Sequence, residues 1–414
     1  MPLLIVSSLL GAACAPADVP YVVMPGPFEV ATEDEPTGGE EVFVDAAALR
    51  LADPVPNILL SGGELTFSED GDAFAAWVAS DNGNGDVWVA RSRDGGGTWE
   101  AAVDVESGSS PAVAGGERRP YVVVDAARIA VIWTSNPDPA TWIAIAPRTE
   151  GPLSFGAPQS VGTARTDDLE DFANGVFLSD GTLAVVTHVT VWGGSPEEAL
   201  FVTRESDGWQ ASLITGDVPG EPCACCALDV LPTEDGGLLV AYRNNIDNIR
   251  DQFVLDVSAE GQVSWAQASF TNWEIFGCPM QGPRLLELSY GELLLFWSDP
   301  TAGDNQIWIA RSEDGGATWA GQRGITADTS VTGSQKWPRA AVSGSHIHVA
   351  FHVGAIGWTA WSNDRGVTFS EPQPVQTSDG PLEDVQLAIG PQGAAMVGSS
   401  GAWPDAAIWF TPLE

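Results

Sequence analysis

Apolar runs break into polar loops at a nearly constant step along this chain. They end at Trp77, Trp133, His188, Arg243, Trp297 and His352, with steps of 56, 55, 55, 54 and 55. A period of that size accommodates four short antiparallel strands with their turns, so each period predicts one four-stranded blade. Six such units run from about residue 55 to 380. The tail "VQLAIGPQGAAMVGSSGAWPDAAIWF" offers three more strands, and "EEVFVDAAALRL" at 40–51 offers a fourth. Pairing 40–51 beside 405–411 would close a ring and remove its open edges. The pattern therefore predicts an all-β propeller of four-stranded blades, closed by N- and C-terminal strands. Seven blades follow if that closure forms, six if it does not.

A second repeat has the same phase. Ser92-x-Asp94-x-Gly96-x-Thr98-Trp99 recurs at Ser312–Trp319 and again at Ser362–Phe369, with worn copies "RTEGPLSF" at 148–155 and "SAEGQVSW" at 258–265. The Asp and Ser/Thr side chains cap backbone groups of a tight turn, Gly supplies the unusual φ, and the ring plugs the space between sheets. On this motif the chain resembles the BNR/Asp-box proteins, the group that includes sialidases. Such a repeat speaks for the fold and carries no activity by itself.

Composition narrows the partners. The 56 acidic residues against 17 basic ones give a net charge of -39. No basic patch exists to track phosphates, so nucleic acid is excluded as a partner. The acids are spread along the whole chain, as on a heavily solvated surface. "MPLLIVSSLLGAACAPADVP" is too short to span a bilayer and ends in small residues like a secretory leader. Two readings stay open for residues 1–17: lipidation at Cys14, or an ordinary cut near Ala17. Either places the protein outside the cytoplasm, with membrane contact only through a lipid anchor. Residues 18–39 read as an acidic flexible tether and 40–414 as a single propeller domain.

In such a propeller the Asp-box turns occupy one face, and the strand-end series belongs to the other. Here His188, Arg243 and His352 interrupt a series of tryptophans. Arg243 opens "YRNNIDNIRD", which gathers Asn244, Asn245 and Arg250 in one loop. Paired Arg and Asn can grip carboxylates and sugar hydroxyls. Arg119, Arg284 and Arg339 stand beside prolines at starts of inner strands, near Lys336 and Trp337, and add to the same face. This predicts a funnel for an anionic ligand, lined by Arg119, Arg243, Arg284 and Arg339. The competing expectation is that these arginines pair with loop Asp and Glu.

"CACC" (Cys223, Cys225 and Cys226) leads into the inner strand of the fourth blade, and Cys278 leads into that of the fifth. Outside the leader the cysteines are even in number, and no His lies close in sequence to complete a conventional zinc set. Disulfides are therefore expected, with Cys278 bridged to Cys223, Cys225 or Cys226 at a Cα separation of about 4.4–6.8 Å, and the other two paired. A soft metal, copper or zinc, held by the same four cysteines is one alternative and a catalytic thiol the other; otherwise no cofactor is expected.

The family resemblance implies a sialidase, but its functional residues do not carry over cleanly. "VPNILLSGG" lacks the Arg-Ile-Pro of the first blade. Arg243, Arg284 and Arg339 could imitate the arginine triad, yet none of Tyr21, Tyr121, Tyr242 and Tyr290 stands where a nucleophile is needed. Catalytic residues stay unassigned. The sequence predicts a sialidase-like propeller binding a glycan or other anionic small molecule. An atypical exo-sialidase or other glycoside hydrolase and a purely structural or protein-binding propeller remain as alternatives.

Overall fold

The computed structural model describes residues 44–413 apart from 46–47, 54–58, 81–83, 107, 109, 114–116, 136–138, 164–167, 193–195, 290, 328 and 402–405. The leader with Cys14, the tether, Tyr21 and Tyr290 lie outside the described residues. Seven antiparallel sheets stand around an axis, and consecutive inner strands are neighbours all the way round. The inner strands of blades 1 to 7 are Leu59–Phe67, Tyr121–Val124, Leu169–Phe177, Asp229–Pro232, Arg284–Ser289, Gln335–Ser343 and Glu383–Gly390. The second strands are Ala73–Ser80, Arg128–Thr134, Leu183–Trp192, Leu238–Asn245, Glu292–Asp299, His346–Val353 and Gly393–Ser400. Sandwiched between blades on both faces, these second strands are buried along most of their length and are mainly apolar.

Seven apolar clusters hold the ring, one at each blade-to-blade junction. Closure uses the two chain ends. Leu49–Ala52 forms the outer strand of blade 7 against Ala407–Pro412, with Leu49 opposite Phe410 and Arg50 opposite Trp409. This seven-bladed closure narrows the sequence expectation: Val44–Asp45 instead runs parallel to Gln373–Thr377 of blade 6. The described residues contain one short 3₁₀ turn, Glu205–Asp207, and no helix long and apolar enough to cross a membrane.

The Asp-box turns join the third and outer strands on one face. Ser92 Oγ donates to Asp94 Oδ1 at 2.7 Å and accepts from Gly96 N at 2.8 Å, while Thr98 N reaches Asp94 Oδ1 at 2.7 Å. The other two intact copies repeat these bonds. Gly96 sits at φ 102° with Phe410 of blade 7 against it, so a Cβ there would be strained and would clash. Each box ring packs onto the preceding blade: Trp99 on Phe410 at 5.2 Å between centroids, and Phe369 edge-on to Phe296 at 6.3 Å.

Candidate functional site at the propeller axis

The inner strands place one polar side chain per blade in the same register. Glu64 faces Ala76, Asn174 faces Val186, Asp229 faces Ala241, Arg284 faces Phe296 and Arg339 faces Ala350 across to their second strands. Arg119 of blade 2 and Gln386 of blade 7 complete a ring of seven. Their bonds run from blade to blade. Arg119 Nε donates to Glu64 Oε2 at 2.8 Å, and Asp229 Oδ1 accepts from Asn174 Nδ2 at 3.3 Å and Arg284 Nη1 at 3.0 Å. Arg284 Nε reaches the Ala340 carbonyl at 3.4 Å, and Arg339 Nε donates to Gln386 Oε1 at 2.6 Å.

Backbone irregularities precede several of these positions. Bulges interrupt the pairing between Ser61 and Glu64, Asp171 and Ala173, Lys336 and Arg339, and Glu383 and Gln386. Phe172, Trp337 and Asp384, each two residues before a ring member, have φ of 36°, 55° and 49°. Bulges re-aim side chains, and positive φ in non-glycine residues costs energy that a packed site must sustain.

One carboxylate crosses the axis. Glu117, in the connection before blade 2, accepts from Gly282 N at 2.6 Å and Ala227 N at 3.3 Å, in segments leading to blades 5 and 4. Its other oxygen lies 3.8 Å from Arg339 Nη1. The approach needs a glycine, because a Cβ at 282 would sit 2.2 Å from the Ala227 carbonyl oxygen.

Electrostatically the centre is balanced: Glu64, Glu117 and Asp229 face Arg119, Arg284 and Arg339. Burial works against the Arg119 charge, but Tyr121, Glu64 and Glu117 outweigh it and hold its pKa up. Burial, with Arg119 close by, pulls Arg339 down to about 10, so both stay charged at neutral pH. Burial pushes the Asp229 carboxyl up against the pull of Arg284, and pushes the Tyr121 phenol up against Arg119 and Arg339. A cluster of displaced titrations in one place is characteristic of functional sites.

The other sequence candidates sit beside this ring and serve the protein's own backbone. Arg243 is 1% exposed and donates to the carbonyls of Gln281 (3.0 Å), Arg250 (2.8 Å) and Ser298 (2.8 Å), with Trp273 stacked at 5.0 Å. It clamps the loop it was expected to arm. Asn244 Nδ2 donates to Pro219 O at 2.7 Å, Asn245 Oδ1 caps Asn248 N at 3.0 Å, and Arg250 is buried with Nη2 3.5 Å from Gly277 O. His188, also buried, has Nε2 3.4 Å from Glu198; burial lowers the imidazole to about 4 and raises the carboxyl to about 7. His352 Nε2 accepts from Val385 N at 3.0 Å, and burial lowers its pKa to about 3.

Of the three ring arginines Arg284 is the most open, at 28% of its side chain against 5% for Arg119 and 7% for Arg339. Beyond it rises the segment 268–283, with Phe276 (81% exposed) and Met280, whose carbonyl accepts from Trp337 Nε1 at 2.8 Å. Cys225 in this neighbourhood is bonded to Cys278, with a Cα separation of 6.0 Å, stapling the entries to blades 4 and 5. Cys223 and Cys226 are thiols, which replaces the second bond expected from the sequence. A crevice of about 410 Å³ opens elsewhere, between blades 5 and 6 on the Asp-box face, walled by Leu294, Ile309, Val367, Arg311 and Arg323.

Sequence reasoning passed over Glu64, Glu117, Asn174, Asp229 and Gln386. Tyr121 lies in a strand, heading the inner strand of blade 2 with the Arg119 guanidinium 4.6 Å above its ring. The missing signal was the period itself: Glu64, Arg119, Asn174, Asp229, Arg284 and Arg339 are each 55 residues apart.

The sequence profile of the BNR repeat-like domain matches residues 71–330. No curated protein sequence matches the chain. Among solved structures it is similar to the sialidase of Trypanosoma rangeli in complex with the inhibitor DANA, at 13% identity and TM-score 0.49, covering 89% of this chain and 58% of that one. The chain thus spans less than two thirds of that enzyme's length. A leech intramolecular trans-sialidase is similar at 14% identity and TM-score 0.46, with coverages of 90% and 70%. A PL25 ulvan lyase bound to -[GlcA(1-4)Rha3S]- shares the fold at 11% identity and TM-score 0.51, with coverages of 88% and 95%.

Proposed function

We propose that this chain, which belongs to the BNR repeat-like domain family, is a glycan-binding propeller that seats an acidic saccharide over the axial ring of its inner strands. The observation that carries this reading is the ring: polar at every blade, cross-bonded, and most open at Arg284. A buried network of this kind holds its members in fixed orientations, so a ligand meets a preorganised surface. Arg284 offers a guanidinium already oriented by Asp229, suited to a carboxylate or sulfate. Trp337, Met280 and Phe276 beside it provide apolar surface for a sugar face. A saccharide is in keeping with the neighbour bound to -[GlcA(1-4)Rha3S]-. With its apolar leader the protein works outside the cytoplasm, released or anchored at Cys14.

The test is titration calorimetry with acidic and neutral saccharides drawn from a glycan-array screen. Arg284→Ala should weaken an acidic ligand by about 1.5–3 kcal/mol. A neutral ligand bound equally well by Arg284→Ala would sink the reading.

A hydrolytic second reading rests on Tyr121, which lies under Arg119 within the electrostatic reach of Glu64 and Asp229. It requires release of sialic acid from a fluorogenic sialoside, abolished in Tyr121→Phe. No release by the unaltered protein removes this reading and leaves the binding one standing.

A further inference from the structure

The four cysteines beside the ring are arranged for more than a staple. Cys223 and Cys226 stand in a C-x-x-C relation on a turn closed by Cys226 N donating to Cys223 O at 3.1 Å. The Cys226 thiol donates to Cys223 Sγ at 3.4 Å, and Cys223 Sγ lies 3.8 Å from Cys225 Sγ, the buried end of the Cys225–Cys278 disulfide. A sulfur in van der Waals contact with a disulfide sulfur and hydrogen-bonded by a second thiol is placed for nucleophilic attack. The surroundings favour the anion: the Cys226 hydrogen bond and the charges of Arg250 and Arg243 bring the Cys223 thiol down to about 7 against burial, while burial and Cys223 push Cys226 up. The far end of the disulfide differs, because Cys278 is exposed, on the segment that carries Phe276 and Met280.

We propose that these four cysteines form a thiol–disulfide exchange site, in which Cys223 attacks Cys225, the disulfide passes to the Cys223–Cys226 pair, and Cys278 is released as a solvent-facing modification site. In the first step the Cys223 thiolate forms a bond to Cys225 Sγ, and the Cys225–Cys278 bond breaks. Its electron pair leaves on Cys278, which takes a proton from water. In the second step Cys226, having lost its proton to water, attacks Cys223 and expels Cys225 as a thiolate, which is protonated in turn. One disulfide and two thiols enter and the same number leave, so no oxidant or reductant is consumed. Release removes the covalent tie between the 268–283 segment and the entry to blade 4. That segment also supplies the Gln281 carbonyl to Arg243, and Gly282 beside it binds Glu117, so the exchange acts on the rim of the axial ring.

The inference is independent of the saccharide reading, and its test involves no sugar. The full-length protein, native and without added thiol, is incubated with a maleimide, then mapped by non-reducing peptide mass spectrometry with fragmentation across 223–226. The expected result is progressive labelling of Cys278, matched by a disulfide among Cys223, Cys225 and Cys226. In Cys223→Ser the rate of Cys278 labelling should fall at least about tenfold. In Cys226→Ser the product should stop at Cys223–Cys225. Melting curves of both variants check that they fold, and the labelling of the unaltered protein stands without them. The proposal is overturned by a Cys225–Cys278 bond that persists unlabelled, whether Cys223 and Cys226 are recovered as thiols or as a static second disulfide. It is equally overturned by Cys278 labelling that Cys223→Ser does not slow, or by thiols that react only after a chelator removes copper or zinc.

Discussion

The Asp-box turns and the axial ring are both products of the same 55-residue repeat, but they distribute their bonds in opposite ways. Each box satisfies its own Ser, Asp and Thr side chains within eight residues: Ser312 binds Asp314 and Gly316, and Asp314 binds Thr318, while a neighbouring blade reaches box carbonyls, as Gln392 Nε2 does Asp94 O at 2.8 Å. The ring contains almost no local bonds. Glu64 serves Arg119 and Asp229 serves Arg284, both 55 residues away, and Glu117 binds Gly282 at a separation of 165. The difference explains the residues found. A self-contained turn needs the same side chains in every copy, so the box recurs nearly unchanged. A ring position needs only a partner in the next blade, so it holds Glu, Arg, Asn, Asp, Arg, Arg and Gln in turn. Function can vary at the second site without disturbing the repeat that builds the first.

The sharpest way to break this comparison is to remove one aspartate from each region. Asp229 is buried and accepts from Arg284, Asn174 and Leu285 N at 2.8 Å. In Asp229→Ala all three lose their acceptor and Arg284 loses its counter-charge, so urea denaturation should show a loss of about 3–5 kcal/mol. Asp94 holds an equal number of bonds but lies in water, and Asp94→Ala should cost about 0.5–2 kcal/mol, as a lost cap does. Equal losses would mean that the ring is no more cooperative than a surface turn.

That contrast also explains what could be read from the sequence. The blades, the boxes and the terminal closure were legible because strand periodicity and turn chemistry are local. The cysteine bridge between blades 4 and 5 was legible because the repeat gave both segments the same place in neighbouring blades. The site was read less well. His188, Arg243 and His352 share the phase of the ring, but they belong to second strands, where side chains pack between blades and are at most 2% exposed. An arginine at such a position is recruited by backbone carbonyls, and nothing in its own neighbourhood of sequence announces Gln281 or Ser298 as partners. Glu117 was invisible for the same reason, since its donors lie 110 and 165 residues on.

A second test uses pH. His352 is held neutral by burial, with a pKa near 3 in the folded state against about 6.5 unfolded. Between these values the unfolded chain binds the extra proton, so this residue withdraws stability as pH falls from 6.5 toward 3 and has no effect above that window. His352→Gln keeps an acceptor for Val385 N but cannot titrate. Its stability relative to the unaltered protein should therefore rise on acidification, by up to about 3–5 kcal/mol, and be unchanged or slightly lower at pH 8. The Asp-box carboxylates also lose stabilisation in acid, Asp364 from a pKa held at about 2 by the Thr368 hydroxyl and backbone, but only at the bottom of the range. Parallel acid limbs for the variant and the unaltered protein would show that His352 is not a buried neutral group.

The smallest effect lies within the box face itself. In the intact copy Ser312 Oγ donates to Asp314 at 2.9 Å and accepts from Gly316 N at 2.8 Å, and Asp314 is fixed in turn by Thr318. The worn copy keeps the first layer in longer form: Ser258 Oγ donates to Glu260 at 3.1 Å and accepts from Gln262 N at 3.2 Å. Where Thr318 stands, it has the exposed Ser264, so Glu260 is less constrained. If the box is a two-layer device, Ser312→Ala should cost about 1 kcal/mol and Ser258→Ala about half that, read as a difference in denaturation midpoint at constant slope. Trp265 would still stack on Phe253 at 5.7 Å in the worn copy, so the loss measured there reports the turn rather than the plug. Equal costs at the two serines would assign the stabilisation to the serine bond alone and leave the Asp–Thr pair as a device for register.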